Sequence, residues 1–208
     1  MFPHPVLRAL RGDATPQRHA QQAMIAAAAR WRATPRAAGV LADLDAFATC
    51  RALAECPSLS ALFDEEDPAA LALAGEFAAI TARQLAGEPL GQVAMRHFTD
   101  GMTSTLLLAR RGNVTLALIA VDGVALRGAP LPTTADFGPF ETWERVLAGS
   151  GSAELVERRA DHGQGADLRR RPVALAPGKV ICGDAERQSV ILRAMEGCLV
   201  TLRLQRRR

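Results

Sequence analysis

The sequence has no apolar run long enough to cross a membrane. Its longest strongly apolar stretch, residues 24–29, is far shorter than the roughly 20 residues that a membrane span needs. The first ten residues contain two prolines and no continuous apolar core, so they do not resemble a secretory signal. We therefore expect a cytoplasmic protein with no membrane partner.

Cysteine motifs for metal or redox chemistry are also missing. The four cysteines, Cys50, Cys56, Cys182 and Cys198, form no Cys-x-x-Cys pair, and the spacing of the first two fits neither a zinc knuckle nor a redox motif. In a cytoplasmic chain such cysteines are most simply small buried hydrophobic residues. A disulfide framework is not expected, because nothing in the sequence indicates secretion.

Tyrosine is absent, and Lys179 is the only lysine. With so much alanine, glycine and arginine, this composition indicates the codon usage of a GC-rich bacterial genome. The arginines are scattered except at residues 169–171, in an expected loop, and at residues 206–208, in an expected frayed tail. Because DNA-binding domains usually concentrate basic residues on one face beside a recognisable motif, nucleic acid is not an expected partner.

The first half of the chain has the composition of helices. Two residue pairs, Thr15-Pro16 and Asp67-Pro68, place a helix-capping residue directly before a proline, which is a strong helix start. Apolar spacing of three and four residues then predicts helices over 16–33, 36–54 and 69–85, with a short helix from 57 to 63. We assign residues 1–14 to a flexible N-terminus, 15–88 to a helical region and 89–205 to a β-barrel domain.

The second half repeats a short apolar phrase three times, at residues 104–116, 144–155 and 189–202. Each copy joins two β-forming runs through a glycine-containing turn, a pattern typical of a β-hairpin. Seven short strands are predicted at 93–98, 103–109, 114–121, 141–147, 153–158, 187–193 and 199–204, with longer connections at 128–139 and 160–172. Such strands with no helix between them predict an antiparallel jelly roll, so the fold class is α+β, with N-terminal helices packed on a C-terminal jelly roll.

The repeated phrase resembles the cupin superfamily, the RmlC-like jelly rolls, over roughly residues 91 to 204. Residues 143–155 resemble the cupin stretch in which a strand enters a glycine turn after the first ligand cluster. Metal-binding cupins usually carry His-x-His, then a Glu, and a further His in a second motif. Here window 91–101 supplies only His97, and window 178–186 contains no histidine. The resemblance therefore implies a cupin-like barrel that has lost its metal site.

His97 is the best single candidate for a functional residue, because it lies on a predicted strand that leads into the turn at Asp100. Together with Arg96 and Asp100 it would form a polar cluster at the barrel mouth, where ligands often bind. Trp143 and Glu144 complete the predicted ligand-binding set. A hydrogen-bonded surface histidine is the alternative interpretation of His97, and no catalytic residue is assigned.

Three functions remain open. The first is a cupin-like protein that binds or senses a small molecule and has no intact metal site. The second is a divergent metal-dependent enzyme of the dioxygenase or isomerase type, centred on His97, with His162 and an acid such as Asp100 or Glu144 as further ligands. The third is a transcriptional regulator with a cupin-like sensor. The first function requires no cofactor, and the second requires a divalent metal. The expected partners are an unidentified small molecule and a second copy of the chain in a homodimer.

Overall fold

A computed structural model describes residues 13–49, 51–130, 132–162 and 165–208, and for residues 160–162 and 165–166 it describes the backbone alone. The described chain forms two compact units. One contains residues 13–42 and Leu71–Met95, and the other contains Asp43–Ala70 and Arg96–Arg208. The predicted flexible N-terminus lies, up to residue 12, outside the described residues. In the described part of the chain, no helix combines the length and the apolar character needed to span a bilayer.

The helices are α1 (Thr15–Arg32), α2 (Pro35–Ala48), α3 (Pro57–Ser60), α4 (Ala69–Gly87) and α5 (Gly123–Gly128), with 3-10 turns at Leu53–Glu55 and Ala61–Phe63. The three long predicted helices correspond to α1, α2 and α4, although α2 ends earlier, at Ala48. In the first unit, α1 and α4 meet through an edge-to-face contact of Trp31 with Phe77, whose ring centroids are 5.3 Å apart. An ion pair from Arg36 Nε to Glu76 Oε1, 3.1 Å long, joins α2 to α4 in the same unit.

The described strands are β1 (Arg96–Thr99), β2 (Thr103–Arg111), β3 (Val114–Asp122), β4 (Phe140–His162), β5 (Gly165–Leu175), β6 (Val180–Asp184) and β7 (Gln188–Arg207). They form one antiparallel sheet in the order β1-β2-β3-β7-β4-β5, with β6 paired to β4. The first half of β4 lies between β6 and the end of β7, and its second half lies between β5 and the start of β7. The α+β fold with an antiparallel jelly roll is therefore confirmed.

Two of the three predicted hairpins are wrong. Only the first phrase folds as a hairpin, with Gly112 in the turn between β2 and β3. The other two phrases are the middles of β4 and β7, which continue through their glycines and pair with each other. Each strand bends there, because Gly149 and Gly197 adopt positive φ angles of 87° and 64°. Register shifts in β4 between residues 146 and 153 accompany the bend.

Several residues predicted to lie in irregular structure are in strands. The connection predicted at 160–172, with its arginines at 169–171, is mostly β5, which pairs with β4. The predicted frayed tail belongs to β7 up to Arg207. Neither β6 nor the short helix α5 was predicted. The prediction that the cysteines are buried holds for Cys56, but Cys182 and Cys198 are exposed, and Cys50 lies outside the described residues.

The interior of the jelly roll has an aliphatic core. Its buried members come from four strands and from α5, and they are Ile119, Val121, Leu126, Val146, Ala153, Leu175, Met195 and Leu199. Because side chains alternate between the two faces of a strand, the residues between these positions face the opposite, outer side of the sheet. On that side the end of α2 packs on β4, where the rings of Phe47 and Trp143 meet edge to face with centroids 5.5 Å apart.

A buried arginine anchors residues 61–65 to the outer face of β4. Arg145 is only 6% exposed, and it donates to the carbonyl oxygens of Leu62 at 3.4 Å, of Glu65 at 3.2 Å and of Asp64. The carboxylate of Glu65 in turn accepts the backbone N–H of Val180 at 3.0 Å. The guanidinium thus supplies charged donors to the carbonyls that follow the 3-10 turn.

Candidate functional site

The inner face of the jelly roll carries a polar cluster at the centre of two paired strands. In β4 and β7, Glu144 lies directly opposite Arg203, and Val146 lies opposite Thr201. Alternation places all four side chains on the inner face, and the structure shows them lining its cavities. Glu144 and Arg203 are thus a cross-strand pair of opposite charge, an arrangement that stabilises antiparallel strands.

Glu144 is held by two residues, which together supply three donors. Its Oε1 accepts a hydrogen bond from Thr201 Oγ1 at 2.6 Å. Its Oε2 accepts from both Nε and Nη2 of Arg203, at 3.0 and 2.8 Å. Among the described residues, Nη1 of Arg203 donates to no protein atom, so this edge of the guanidinium is available to a ligand. The carboxylate is therefore fixed in position, while the pair retains a free donor.

Two adjoining cavities meet at this pair. The inner cavity, of about 120 Å³, has a mostly aliphatic wall formed by Val121, Val146, Leu175, Ile181, Val190, Leu192 and Leu199. The outer cavity, of about 170 Å³, is more polar and is bordered by side chains that include Asp136, Thr142, Gln188, Ser189 and Gln205. Glu144 and Arg203 line both cavities, so the pair lies where an apolar space joins a polar one.

A third and larger concavity, of about 480 Å³, continues along the same face over β1, β2 and β3. We call it the arginine cleft. It is lined by Arg96, Phe98, Thr105, Leu107, Arg110, Thr115, Ala117, Ile119, Arg203 and Gln205. Arg203 therefore borders all three spaces on the inner face.

Two of the five predicted ligand-binding residues, Glu144 and Arg96, line these spaces. His97 does not, because it pairs with Leu106 and alternates with Arg96 and Phe98 along β1, which places it on the other face of the strand. Asp100 is in the β1–β2 turn, where its carboxylate accepts the backbone N–H groups of Thr103 at 2.7 Å and Met102 at 3.0 Å. These bonds lower the pKa of Asp100 below its ordinary value.

The remaining candidates lie elsewhere. Trp143 is on the outer face against Phe47. The side chain of His162, at the end of β4, lies outside the described residues, so its predicted approach to His97 stays a prediction.

The described side chains of the inner face do not supply the donor set of a cupin metal site. Among the described side chains, no three His, Cys, Asp or Glu residues lie together as metal ligands would. Glu144, the carboxylate that lines both smaller cavities, already carries the guanidinium of Arg203. A cation at this carboxylate would have to displace another positive charge, so the residues present fit an organic ligand better than a metal ion.

Sequence reasoning missed Arg203 and Thr201 as site residues. The signal was present, since Thr201, Arg203 and Gln205 alternate with Leu202 and Leu204 in the same run. A period of two with polar residues on one side predicts a strand with one polar face. It does not indicate that this polar face is the inner one, because that depends on the pairing of β7 with the first half of β4.

No family model matches the chain, and no curated protein matches it. Solved structures do match. A cupin superfamily protein from Desulfitobacterium hafniense is 15% identical, covers 53% of this chain and 83% of its own, and has a TM-score of 0.34. KdgF from a Halomonas species is 15% identical over 54% of this chain and 89% of its own, with a TM-score of 0.36. HutD from Pseudomonas fluorescens is 15% identical over 55% of this chain and 57% of its own, with a TM-score of 0.38.

One of these structural matches, the protein from Desulfitobacterium hafniense, is described as a member of the cupin superfamily, which the repeated phrase resembles. The matched portion is little more than half of this chain. At such identities and TM-scores the likeness carries no information about ligand, reaction or partners.

Proposed function

We propose that the protein binds a small organic molecule inside the jelly roll, with Glu144 and Arg203 as its polar recognition groups. The observation that supports this most directly is a fixed ion pair at the junction of an aliphatic and a polar cavity. Ligand sites usually combine an apolar wall with a few placed polar groups. Here Val190, Leu192 and Ile181 supply part of the wall, and the ion pair supplies the groups that orient a ligand.

The ion pair suits a ligand that both donates and accepts hydrogen bonds. Nη1 of Arg203 supplies a charged donor, and the carboxylate oxygens of Glu144 retain lone pairs beyond those used by Thr201 and Arg203. Cavities of about 120 and 170 Å³ are smaller than the roughly 300–1,000 Å³ of sites for drug-sized ligands. The ligand is therefore a compact molecule with a polar end and an apolar end.

The homodimer and the cytoplasmic location stay predictions.

A thermal-shift screen of compact polar metabolites, with a variant that fills the cavities, tests this proposal. Val190 borders both cavities and is 40% exposed, so Val190→Trp obstructs them without placing the new ring in a closed core. Val124→Trp is the matched control, because Val124 is 66% exposed on α5 and lines none of the three spaces. We expect compounds that raise the melting temperature of the wild type to lose this effect in Val190→Trp and to keep it in Val124→Trp.

A second variant tests the ion pair itself. Glu144→Gln keeps an acceptor for Thr201 and removes the negative charge, so ligands that donate to the carboxylate should bind about tenfold more weakly or worse. If every stabilising compound acts equally on the wild type and on Val190→Trp, the ligand does not bind inside the jelly roll, and the proposal is wrong.

A further inference from the structure

We infer that the arginine cleft is a second binding site, which takes the phosphate group of a small phosphate monoester with an apolar substituent. The arginine cleft lies on the inner face beside the two smaller cavities, and the ligand proposed for those cavities does not occupy it. The two sites share Arg203, and each can be tested without the other.

The cleft brings together three guanidinium groups from three strands. Arg96 is on β1, Arg110 on β2 and Arg203 on β7, and all three line a single space of about 480 Å³. None of the described residues that line it is acidic. Glu144 compensates the charge of Arg203, whereas Arg96 and Arg110 add positive charge that no lining residue balances, and an anion bound between them would do so.

The sheet departs from regular geometry to place one of these arginines in the cleft. Leu107 pairs with Ala117, and Arg110 pairs with Thr115, so both face inward although they are three residues apart in β2. A register shift between Leu107 and Ala109 makes this possible. In a regular strand, alternation from Leu107 would direct Arg110 to the outer face. Bulges of this kind commonly redirect a side chain towards a site.

Arg203 is paired with Glu144, but the other two cleft arginines, Arg96 and Arg110, lack the strong ion pairs that arginines elsewhere in the sheet make. Arg206 Nη2, for example, lies 2.5 Å from Glu141, and Arg193 Nη2 lies 2.7 Å from Glu154. In the described part of the chain Arg96 has no carboxylate partner, and the side chain of Arg110 makes only a 3.4 Å hydrogen bond to the carbonyl of Gly112. Their donors are therefore available for bidentate binding of phosphate oxygens.

The rest of the lining defines the remainder of the ligand. Thr105, Thr115 and Gln205 offer neutral hydrogen-bonding groups beside the arginines, and Leu107 and Ile119 form an apolar floor. Phe98 borders the cleft and is 63% exposed, so it presents an apolar surface to solvent. A phosphate with an aryl or alkyl group matches both features. A concave space of this size fits a small molecule, not the extended phosphate backbone of a nucleic acid.

Isothermal titration with phenyl phosphate tests the inference on the full chain. We expect saturable binding, and we expect Arg96→Gln and Arg110→Gln each to weaken it by about tenfold or more, the usual effect of removing a charged hydrogen-bond donor. Arg169→Gln is the matched control, because it removes the same charge from an exposed position on β5 and should leave the affinity unchanged. Circular dichroism and melting temperature establish that each variant is folded.

Other outcomes overturn the inference. Equal weakening by Arg169→Gln would show that diffuse positive charge, not this cleft, attracts the anion. Loss of phenyl phosphate binding in Val190→Trp, with affinity unchanged in Arg96→Gln, would place the anion in the smaller cavities. That result would contradict the inference and leave the proposed function intact. Tighter, Arg96-dependent binding of a single-stranded oligonucleotide would replace the small ligand with a nucleic acid. Undetectable binding of phenyl phosphate to the wild type would also overturn it.

Discussion

The buried guanidinium of Arg145 provides the strongest test of how the jelly roll is held to residues 61–65. Its donors reach three carbonyl oxygens at once, and its side chain is almost wholly buried. Replacing it with methionine keeps an unbranched apolar stem of similar length and removes the donors. Each hydrogen bond from a charged donor contributes about 1.5–3 kcal/mol, and the recovered desolvation of the arginine offsets part of the loss.

We expect Arg145→Met to lower the free energy of unfolding of the second unit by about 2–3 kcal/mol. The chain has two tryptophans, Trp31 in the first unit and Trp143 in the second. A Trp31→Phe background therefore leaves Trp143 as the only fluorescent reporter, two residues from the substitution. Urea unfolding followed by this fluorescence should show a midpoint lower by about 1 M, given the usual slope for proteins of this size.

The control for this experiment is an exposed arginine. Arg111 pairs with Asp45 at 2.5 Å, but both side chains are largely exposed, and such pairs contribute only about 0–1 kcal/mol. Arg111→Met should therefore shift the urea midpoint much less than Arg145→Met. If the two substitutions destabilise the second unit equally, the buried carbonyl contacts do not stabilise it, and the reasoning is wrong.

Two further predictions concern the bend in β4 and the acid end of the pH range. Gly149→Ala should lower the free energy of unfolding of the second unit by more than about 2 kcal/mol, measured in urea. The left-handed backbone costs an alanine roughly 1–2 kcal/mol, and its Cβ would also press on the carbonyl of Cys198. Gly112 has a positive φ but open space around it, so Gly112→Ala should show the backbone strain alone, and equal effects of the two substitutions would contradict the close approach at Gly149. The pKa of Glu65 lies below its ordinary value because its carboxylate accepts hydrogen bonds from the backbone of Val180 and from Lys179. Its contribution to the free energy of unfolding is therefore complete above the unfolded pKa of about 4.3 and is lost as the pH falls through the lower folded pKa. Urea midpoints measured between about pH 5 and pH 3 should consequently fall less steeply in Glu65→Gln than in the wild type, and parallel curves would contradict this.

The helices and the β-rich second half follow from local signals in the sequence. Proline after a capping residue and apolar spacing of three and four are set within a few residues, so α1, α2 and α4 could be predicted. The long strands could not. A glycine between two β-forming runs predicts a turn, but the glycines of β4 and β7 bend strands that pair with each other along most of their length. That pairing depends on contacts between residues far apart in the sequence, such as Glu144 and Arg203, and no local sequence pattern indicates it.

The candidate site shows the same limit. Arg96 could be named from the sequence as a neighbour of His97, and Glu144 as an acid in the second copy of the repeated phrase. Which face each occupies could not be derived, since a shift of one residue exchanges the faces of a strand. His97 illustrates the point, because its neighbour Arg96 lines the arginine cleft and His97 itself is on the other side of β1. The inward direction of Arg110 was beyond prediction too, since it depends on the register shift in β2.

Alternation along β4 also links the site to the anchor beneath it. Glu144 points inward to Arg203, and the next residue, Arg145, points outward to the carbonyls of residues 62, 64 and 65. The same short segment is thus fixed from both faces, by a cross-strand ion pair inside and by a buried guanidinium outside. Because the anchor holds the backbone that positions the Glu144 carboxylate, Arg145→Met should weaken binding of the interior ligand as well as stability. Phenyl phosphate in the arginine cleft depends on β1, β2 and β7, so its affinity should change little in the same variant.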